Sequence, residues 1–200
     1  MQHPEIVCLA VSTRPDCVDD EVLKLLAGLK EKKHVWLELG LQSANDATLE
    51  EINRGHGSWE FKDACERARS FGLDVCAHVI LGLPNETRED MLETIRFAVG
   101  CGIWGIKFHQ LQVLKGTPLE AAYKRGELKL LSLEEYASIV VECLEILPKE
   151  VVVHRLSGDA PLKHIIAPNW GANKFMIMDA VTRLMHERKS RQGSRRKEDK

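Results

Sequence analysis

The strongest constraint in the sequence is the alternation of residue types over 35–43, which read VWLELGLQS. Successive side chains of an extended strand point to opposite faces. One face of this strand is therefore aliphatic, and the other carries an acid, a glycine and an amide, namely Glu38, Gly40 and Gln42. Such a strand is typical of a parallel sheet with helices behind it and a ligand site in front. The polar residues lie towards its carboxyl end, where α/β sheets and barrels build their sites.

The rest of the chain alternates between strand and helix patterns. Further aliphatic runs predict strands at 6–12, 73–81, 105–113 and 151–155, and a helical pattern follows each one. Such spacing requires parallel β-α-β crossovers. Five strands are too few for a closed eight-unit barrel. The sequence therefore predicts an α/β fold, an open parallel sheet or partial (β/α) barrel with outer helices.

Composition limits the class of protein. The 200 residues are 44% hydrophobic and 29% charged, which describes one globular domain with a sizeable core. The longest apolar runs are far below the ~20 residues needed to cross a bilayer, so we expect a cytoplasmic protein without membrane contacts. The six cysteines show no C-x-x-C or comparable spacing, which indicates buried thiols rather than a metal site.

Charge divides the chain into an acidic body and a basic end. Residues 183–200 contain 8 Lys and Arg against 3 Asp and Glu, and residues 1–182 contain 20 against 27. Apolar periodicity stops after Met185, so we expect 183–200 to be a frayed or disordered tail beside a single body over 1–182. Such tails are usually solvated spacers, and the alternative is an arm that contacts the phosphates of RNA.

Polar side chains recur on the front faces of successive strands. They are Arg14, Glu38, Gln42, His78, Lys107, His109 and Arg155. A sheet interior accepts this many polar groups only if they bind a ligand or pair with one another. We expect Glu38, Gln42, His78 and His109 to share one concave face. The alternative to a ligand site is a salt-bridged, solvated barrel mouth.

Several motifs, in their order and spacing, resemble the second half of a radical S-adenosylmethionine (SAM) barrel. They are ELGLQS at 38–43, INRGH at 52–56, and ILGLP at 80–84 with Glu86. TRPDC at 13–17, GIK at 105–107, KGTP at 115–118 and RLSGD at 155–159 are similar to one part of that superfamily. This part is the YhcC-like branch, related to the Elongator catalytic subunit. The resemblance covers roughly residues 5–193.

The resemblance implies a SAM site across the carboxyl ends of the strands. Gln42 matches a residue that hydrogen-bonds the ribose hydroxyls, and Ser43 would assist it. Arg54 matches an arginine that holds the methionine carboxylate through its planar fork. The alternative for Arg54 is a surface arginine at a helix end. His78 occupies a ribose-side position where relatives often have an acid, and its alternative is a satisfied barrel histidine.

Three further residues match cofactor-binding positions of the family. Ile80 and Gly82 match the strand that flanks the adenine, and Val113 matches a backbone contact on the next strand. The resemblance identifies no catalytic residue in this chain.

The sequence departs from the family in its cysteines. The C-x-x-x-C-x-x-C loop that supplies three thiolates to a [4Fe–4S] cluster is absent, and none of the six cysteines has that spacing. The first βα units of the barrel are missing too. We therefore expect a truncated family member, a fragment or a remnant, that does not cleave SAM by itself. Its incomplete barrel would leave an open edge that favours self-association.

The implied activity of the complete enzyme is reductive cleavage of SAM to a 5′-deoxyadenosyl radical, which abstracts hydrogen from a substrate. The relation to the Elongator subunit indicates tRNA modification, by analogy. The alternative is a non-catalytic RNA-binding or scaffold remnant. A phosphate-binding barrel hydrolase is a third hypothesis, but the sequence has no glycine-rich phosphate loop.

Overall fold

A computed structural model of the chain describes residues 3, 5–158 and 160–196. The strands are β1 Cys8–Thr13, β2 His34–Gln42, β3 Asp74–Leu81, β4 Gly105–Gln110, β5 Val113–Leu114, β6 Val152–Arg155 and β7 Ile165–Ala167. The helices are α1 Asp20–Lys30, α2 Asp46–Glu51, α3 Ser58–Ser70, α4 Arg88–Gly100, α5 Pro118–Lys124, α6 Leu133–Ile146 and α7 Lys174–Glu187. Short 3-10 turns lie at Pro15–Cys17, Leu162–His164 and Asn169–Ala172.

The main sheet has five strands in the order β1-β2-β3-β4-β6, and every pair is parallel. Helices connect successive strands, as parallel pairing requires. The predicted α/β fold, a partial barrel of parallel strands with outer helices, is confirmed. Because the carboxyl ends of parallel strands meet at one edge, the loops after these strands converge there.

The predicted alternation of β2 is visible in its burial. Val35, Leu37, Leu39 and Leu41 are all completely buried in the main core. Full burial of such a side chain stabilises the folded state by about 1.5–3 kcal/mol. The aliphatic face therefore anchors β2 against its helices and leaves the other face for polar groups.

Side-chain caps set the helix starts at the carboxyl edge of the sheet. Thr87 and Asp90 form a reciprocal capping box at α4, and Ser132 and Glu135 form one at α6. Each box satisfies backbone N–H groups that the first helical turn leaves without partners.

The strand predicted over 105–113 is shorter than expected. β4 ends at Gln110, and Val113 belongs to β5, which pairs antiparallel with β7 in a separate two-stranded sheet. Val113 is completely buried there in a small second core with Leu128 and Ala167. The alternating pattern continues past Gln110 because Val113 is also buried, although in the second core rather than in the main one. The helix α5, capped by Thr117 with Pro118 in its first turn, was not predicted.

The C-terminal segment also differs from the expectation. Residues 183–187 complete α7, and the following turns hydrogen-bond to the end of α6, with Gly193 N to Leu144 O at 3.0 Å and Arg195 N to Glu145 O at 2.8 Å. Glu142 and Glu145 of α6 are 2% and 4% exposed. Buried carboxylates need cationic partners, and these are Arg88 of α4 and Arg188 of the basic segment for Glu142, and Arg195 for Glu145. Backbone hydrogen bonds and charge pairing, rather than apolar periodicity, therefore hold this segment against α6. Residues 197–200 of the predicted tail lie outside the described residues.

The outer strands leave both edges of the main sheet unpaired within the described part of the chain. β1 pairs only with β2, and Ile6 and Val7 next to it are 44% and 74% exposed. Unpaired strand edges are sites where other chains associate. Self-association through this edge stays a prediction. None of the helices in the described residues is long and apolar enough to cross a membrane.

We expect Arg195→Met to lower the free energy of unfolding by about 1 kcal/mol, because the buried Glu145 carboxylate loses an ionic partner 3.2 Å away. The measurement is urea denaturation at neutral pH. Arg191→Met is the matched control, since Arg191 is an exposed arginine of the same segment. Equal effects of the two substitutions would show that the Glu145 pair does not hold the segment.

Candidate functional site

A buried carboxylate, Glu38, lies at the centre of the concave face. Lys107 Nζ donates to both of its oxygens at 2.6 Å, and Ser12 Oγ donates to Oε2 at 2.8 Å. Trp36 Nε1 contacts Oε1 at 3.2 Å, and His78 Nε2 lies 3.1 Å from Oε2. The donors come from β1, β2, β3 and β4, so one side chain connects four neighbouring strands.

The environment keeps Glu38 ionised. Burial opposes its charge, but hydrogen bonds from Lys107, Ser12 and Trp36 outweigh burial and lower the pKa of Glu38 to about 2. The carboxylate therefore accepts hydrogen bonds and donates none at physiological pH.

Two histidines stack beside this carboxylate. The rings of His78 and His109 lie 5.2 Å apart with an interplanar angle of 26°. Burial lowers the pKa of His78, and although Glu38 opposes this shift, Lys107 adds to it. His78 is therefore neutral near pH 7. The predicted grouping of Glu38, His78 and His109 on one face agrees with these contacts.

Gly40 is the point on which Gln42 and Arg54 converge. A Cβ on Gly40 would lie 2.5 Å from Arg54 NH2 and 2.6 Å from Gln42 Nε2. Gly40 pairs with His78 in the sheet, so the two side chains lie on the concave face that His78 shares. The pairing skips a residue between Gly40 and Gln42, and Gln42 has a φ of 70°. This bulge re-orients the end of β2, so that the side chain of Gln42 lies next to Gly40 of the same strand.

Arg54 is a half-buried cation whose N–H donors are not all used within the described chain. Its NH2 donates to Gly40 O at 3.1 Å, and its buried Nε has no hydrogen-bond partner within the described chain. Burial lowers the pKa of Arg54, and the nearby Arg14 contributes to the shift. Arg14 pairs with Asp16 and donates to Gly55 O at 3.3 Å. Guanidinium groups from two loops therefore favour an anion at this edge.

Ser43 holds the turn after β2. Its Oγ donates to Glu86 and accepts from Asn45 N at 3.0 Å. Burial raises the pKa of Glu86, and the bond from Ser43 opposes the shift. The hydroxyl of Ser43, which is completely buried, thus joins the loops after β2 and β3.

The remaining predicted residues fall in different places. Ile80 lies on β3, paired with His109 in the sheet. Gly82 has a φ of 85°, and its N–H contacts Met91 Sδ at 3.2 Å, so it makes the turn at the end of β3. Val113 lies in β5, away from the parallel strands, where it pairs with Ala167. The prediction that Val113 continues the strand beside the site was therefore wrong.

Sequence reasoning missed a clamp on the loop after β6. Gln110 is 4% exposed, and its Oε1 accepts from Gly158 N at 2.8 Å while its Nε2 donates to Gly158 O at 3.2 Å. Gly158 lies so close to His109 that a Cβ would be 2.8 Å from His109 Nδ1. The signal in the sequence was an amide at the end of a buried strand. Asp159 of the same motif lies outside the described residues.

The cysteines do not fit a [4Fe–4S] cluster. Cys65, Cys76, Cys101 and Cys143 are buried as predicted, whereas Cys8 and Cys17 are exposed. Burial raises the pKa of Cys76 to about 12 and that of Cys101 to about 11, so these groups stay thiols. In the part of the chain that the structure describes, no three His, Cys, Asp or Glu side chains are grouped to hold a metal.

Comparison with protein families gives two matches that follow one another along the chain. Residues 2–98 match the Radical SAM superfamily, and residues 103–187 match the Radical_SAM C-terminal domain.

Curated relatives match nearly the whole chain. It is 40% identical over 189 residues to the uncharacterized protein YtqA of Bacillus subtilis, and 42% identical over 188 residues to the protein YhcC of Escherichia coli. Each alignment covers 94% of this chain but only 59% and 61% of the relatives, so the chain spans about three fifths of their length. A tRNA uridine(34) acetyltransferase of Methanocaldococcus infernus is 28% identical over 91% of the chain and 34% of that protein.

The chain also superposes on solved structures of known proteins. The archaeal Elp3 of Methanocaldococcus infernus with an N-terminal deletion superposes with a TM-score of 0.82 at 25% identity, over 93% of this chain and 43% of that one. The Escherichia coli coproporphyrinogen III oxidase HemN, described as a radical SAM enzyme, has a TM-score of 0.52 at 21% identity, over 68% of this chain and 30% of that one. The second match supports the fold alone.

We expect the stabilising effect of Glu38 to disappear in acid. Its pKa is lowered in the folded protein, so its contribution is complete above the ordinary value of 4.5 and is lost as the pH falls towards 2. The difference in unfolding free energy between wild type and Glu38→Gln should be about 3 kcal/mol at pH 7 and should shrink between pH 4.5 and 2. Urea denaturation across this range measures it. Glu50→Gln, at an exposed site, is the control, and a difference independent of pH would contradict the assignment.

We expect Gln110→Leu to release the loop after β6, because the substitution keeps the volume but removes both bonds to Gly158. The loss should be about 2 kcal/mol of unfolding free energy. Hydrogen exchange at the Gly158 amide should accelerate more than exchange at Phe108, a completely buried residue of β4 that serves as internal control. Equal acceleration at both amides would indicate general loosening rather than a local clamp.

Proposed function

The chain belongs to the radical SAM superfamily, and we propose that it binds SAM over Gly40, at the carboxyl ends of β2 and β3. The observation that carries this proposal is the convergence of Gln42 and Arg54 on Gly40, directly opposite His78. Because Gly40 has no side chain, the Arg54 guanidinium and the Gln42 amide can lie against its backbone, and these two polar groups suit a zwitterionic nucleoside.

The residues present fit SAM. Arg54 has an unpartnered Nε and would hold the methionine carboxylate, with Arg14 close enough to affect its charge. Gln42 offers a donor and an acceptor for the ribose hydroxyls. Ile80 and Gly82 would flank the adenine. Ser43 would act through the turn that carries Gln42, and Val113 is not part of the proposal because its backbone pairs with Ala167.

When bound and reduced by a [4Fe–4S] cluster, SAM supplies a 5′-deoxyadenosyl radical for hydrogen abstraction. We assign no cluster ligand to this chain, because its cysteines are dispersed and those in the core are protonated. Since the curated relatives are longer, the complete reaction is proposed for a protein that also contains a cluster-binding loop.

We propose RNA as the substrate of the complete protein. A relative named as a tRNA uridine(34) acetyltransferase supports tRNA, and a cytoplasmic location follows from that proposal. Arg191 and Arg196 of the basic segment are exposed and would supply phosphate contacts. The unsuitable cysteines favour a second candidate, an RNA-binding or scaffold protein without radical chemistry.

We expect Arg54→Lys to weaken SAM binding by about 1–3 kcal/mol, because a point charge replaces a planar fork and leaves carboxylate lone pairs unused. Gln42→Ala should cost about 1 kcal/mol through lost ribose hydrogen bonds. The measurement is isothermal titration calorimetry with SAM under anaerobic conditions.

Arg125→Lys is the matched control for Arg54→Lys. Arg125 is exposed, directly follows α5, and donates from Nε to Glu127 Oε1 at 2.7 Å. It is not part of the proposed site, so this substitution should leave the affinity for SAM unchanged. Unchanged affinity in Arg54→Lys would return Arg54 to a structural role. Absence of SAM binding in wild type, together with binding of tRNA, would favour the scaffold candidate.

A further inference from the structure

We propose that Glu38 locks His78 in one tautomer, with the proton on Nε2, so that Nδ1 accepts a hydrogen bond from a hydroxyl or N–H group of the ligand. The proposal deepens the proposed function and rests on it only for the identity of the ligand. His78 is thereby a binding residue, and Glu38 is the positioning residue that acts through it.

The contact between the two side chains fixes the direction of the hydrogen bond. Glu38 Oε2 lies 3.1 Å from His78 Nε2, and both carboxylate oxygens also lie 2.6 Å from the ammonium of Lys107. A carboxylate next to an ammonium is ionised and only accepts. The proton between Glu38 and His78 therefore belongs to Nε2 whether the ring is neutral or charged. In the neutral ring, Nδ1 then carries a lone pair.

That lone pair is available. Within the described residues, the hydrogen bonding of His78 is confined to Nε2, and its side chain is 21% exposed. The two ring nitrogens lie on opposite edges of the imidazole, so Nδ1 faces away from Glu38. Glu38 pairs with Cys76, two residues before His78, and so lies towards the amino end of β3. Gly40, on which Gln42 and Arg54 converge, pairs directly with His78, so a ligand held by Gln42 and Arg54 would lie beside this ring.

Burial and two neighbouring cations keep the ring of His78 uncharged near pH 7. The groups that face His78 are Glu38 from β2, Lys107 and His109 from β4, Arg155 from β6 and Cys76 from its own strand. Burial lowers the pKa of His78, Glu38 opposes this shift, and the cations Lys107 and Arg155 add to it. Below that pKa, Nδ1 becomes a donor. Ligand affinity should then fall about tenfold per pH unit, because only the neutral fraction is competent.

The tautomer itself is measurable without any ligand. Long-range 1H–15N correlation spectra of protein labelled with 15N-histidine distinguish a protonated ring nitrogen from an unprotonated one, and His78→Gln assigns the signals. We expect a protonated Nε2 and an unprotonated Nδ1 at neutral pH. A proton on Nδ1 would overturn the proposal.

Two variants separate the role of Glu38 from general effects on the sheet. Glu38→Gln places an amide that both donates and accepts next to Nε2, so both tautomers should become populated. Ser12→Ala removes another donor to the same oxygen, 2.8 Å away, and should leave the tautomer unchanged. A shift in Ser12→Ala as large as that in Glu38→Gln would count against the lock. If Glu38→Gln does not fold, the wild-type spectrum still decides.

Ligand recognition is tested with SAM as the probe. Adding SAM should shift the Nδ1 resonance of His78, and His78→Phe, which keeps a ring but has no acceptor, should bind SAM about tenfold more weakly. His78→Asn, which restores an acceptor oxygen near the Nδ1 position, should recover part of the loss. SAM binding with no Nδ1 shift and full affinity in His78→Phe would overturn this inference and leave the proposed function standing. No SAM binding in wild type would overturn the proposed function, while the spectra still judge the tautomer.

Discussion

The structure depends on one buried ion pair, the carboxylate of Glu38 and the ammonium of Lys107, 2.6 Å apart. An ionised carboxylate that is 6% exposed would be costly without partners, and removing one member of such a pair typically costs about 3–5 kcal/mol. Here the remaining lone pairs accept from Ser12, Trp36 and His78. Ser12, His78 and Lys107 each have to come from a particular position on another strand, β1, β3 and β4 respectively. The pair therefore selects one alignment of four strands among those that the apolar faces alone would accept.

That alignment determines what the carboxyl edge presents. With Glu38 opposite Cys76, Gly40 falls opposite His78, and the bulge that follows returns Gln42 over the glycine. A shift of one residue would move these groups to the opposite face, into the aliphatic core. The buried charges inside the sheet therefore also determine which groups lie at its carboxyl edge, where a ligand would bind. The same carboxylate that fixes the register also fixes the protonated nitrogen of His78.

The sequence predicted the parts of the fold that local rules determine. Alternation in β2 and the helical periodicities are local, and they located the sheet, its helices and the concave polar face. Contacts between distant segments were not accessible in this way. The place of Val113 depends on Ala167, and the order of residues 188–196 depends on buried acids of α6. The clamp of Gln110 on Gly158 depends on a loop 48 residues away.

Binding a polar ligand and binding a cluster require different side-chain properties. Gln42, Arg54 and His78 border Gly40 with donors and acceptors that the protein itself does not saturate, which is the condition for binding a polar ligand. A cluster needs thiolates, and burial in the core stabilises the protonated form of Cys76 and Cys101 instead. Binding of the nucleoside and supply of the electron are thus separate properties of the fold. Affinity for SAM would measure nucleoside binding alone, the property that we propose for Gln42, Arg54 and His78.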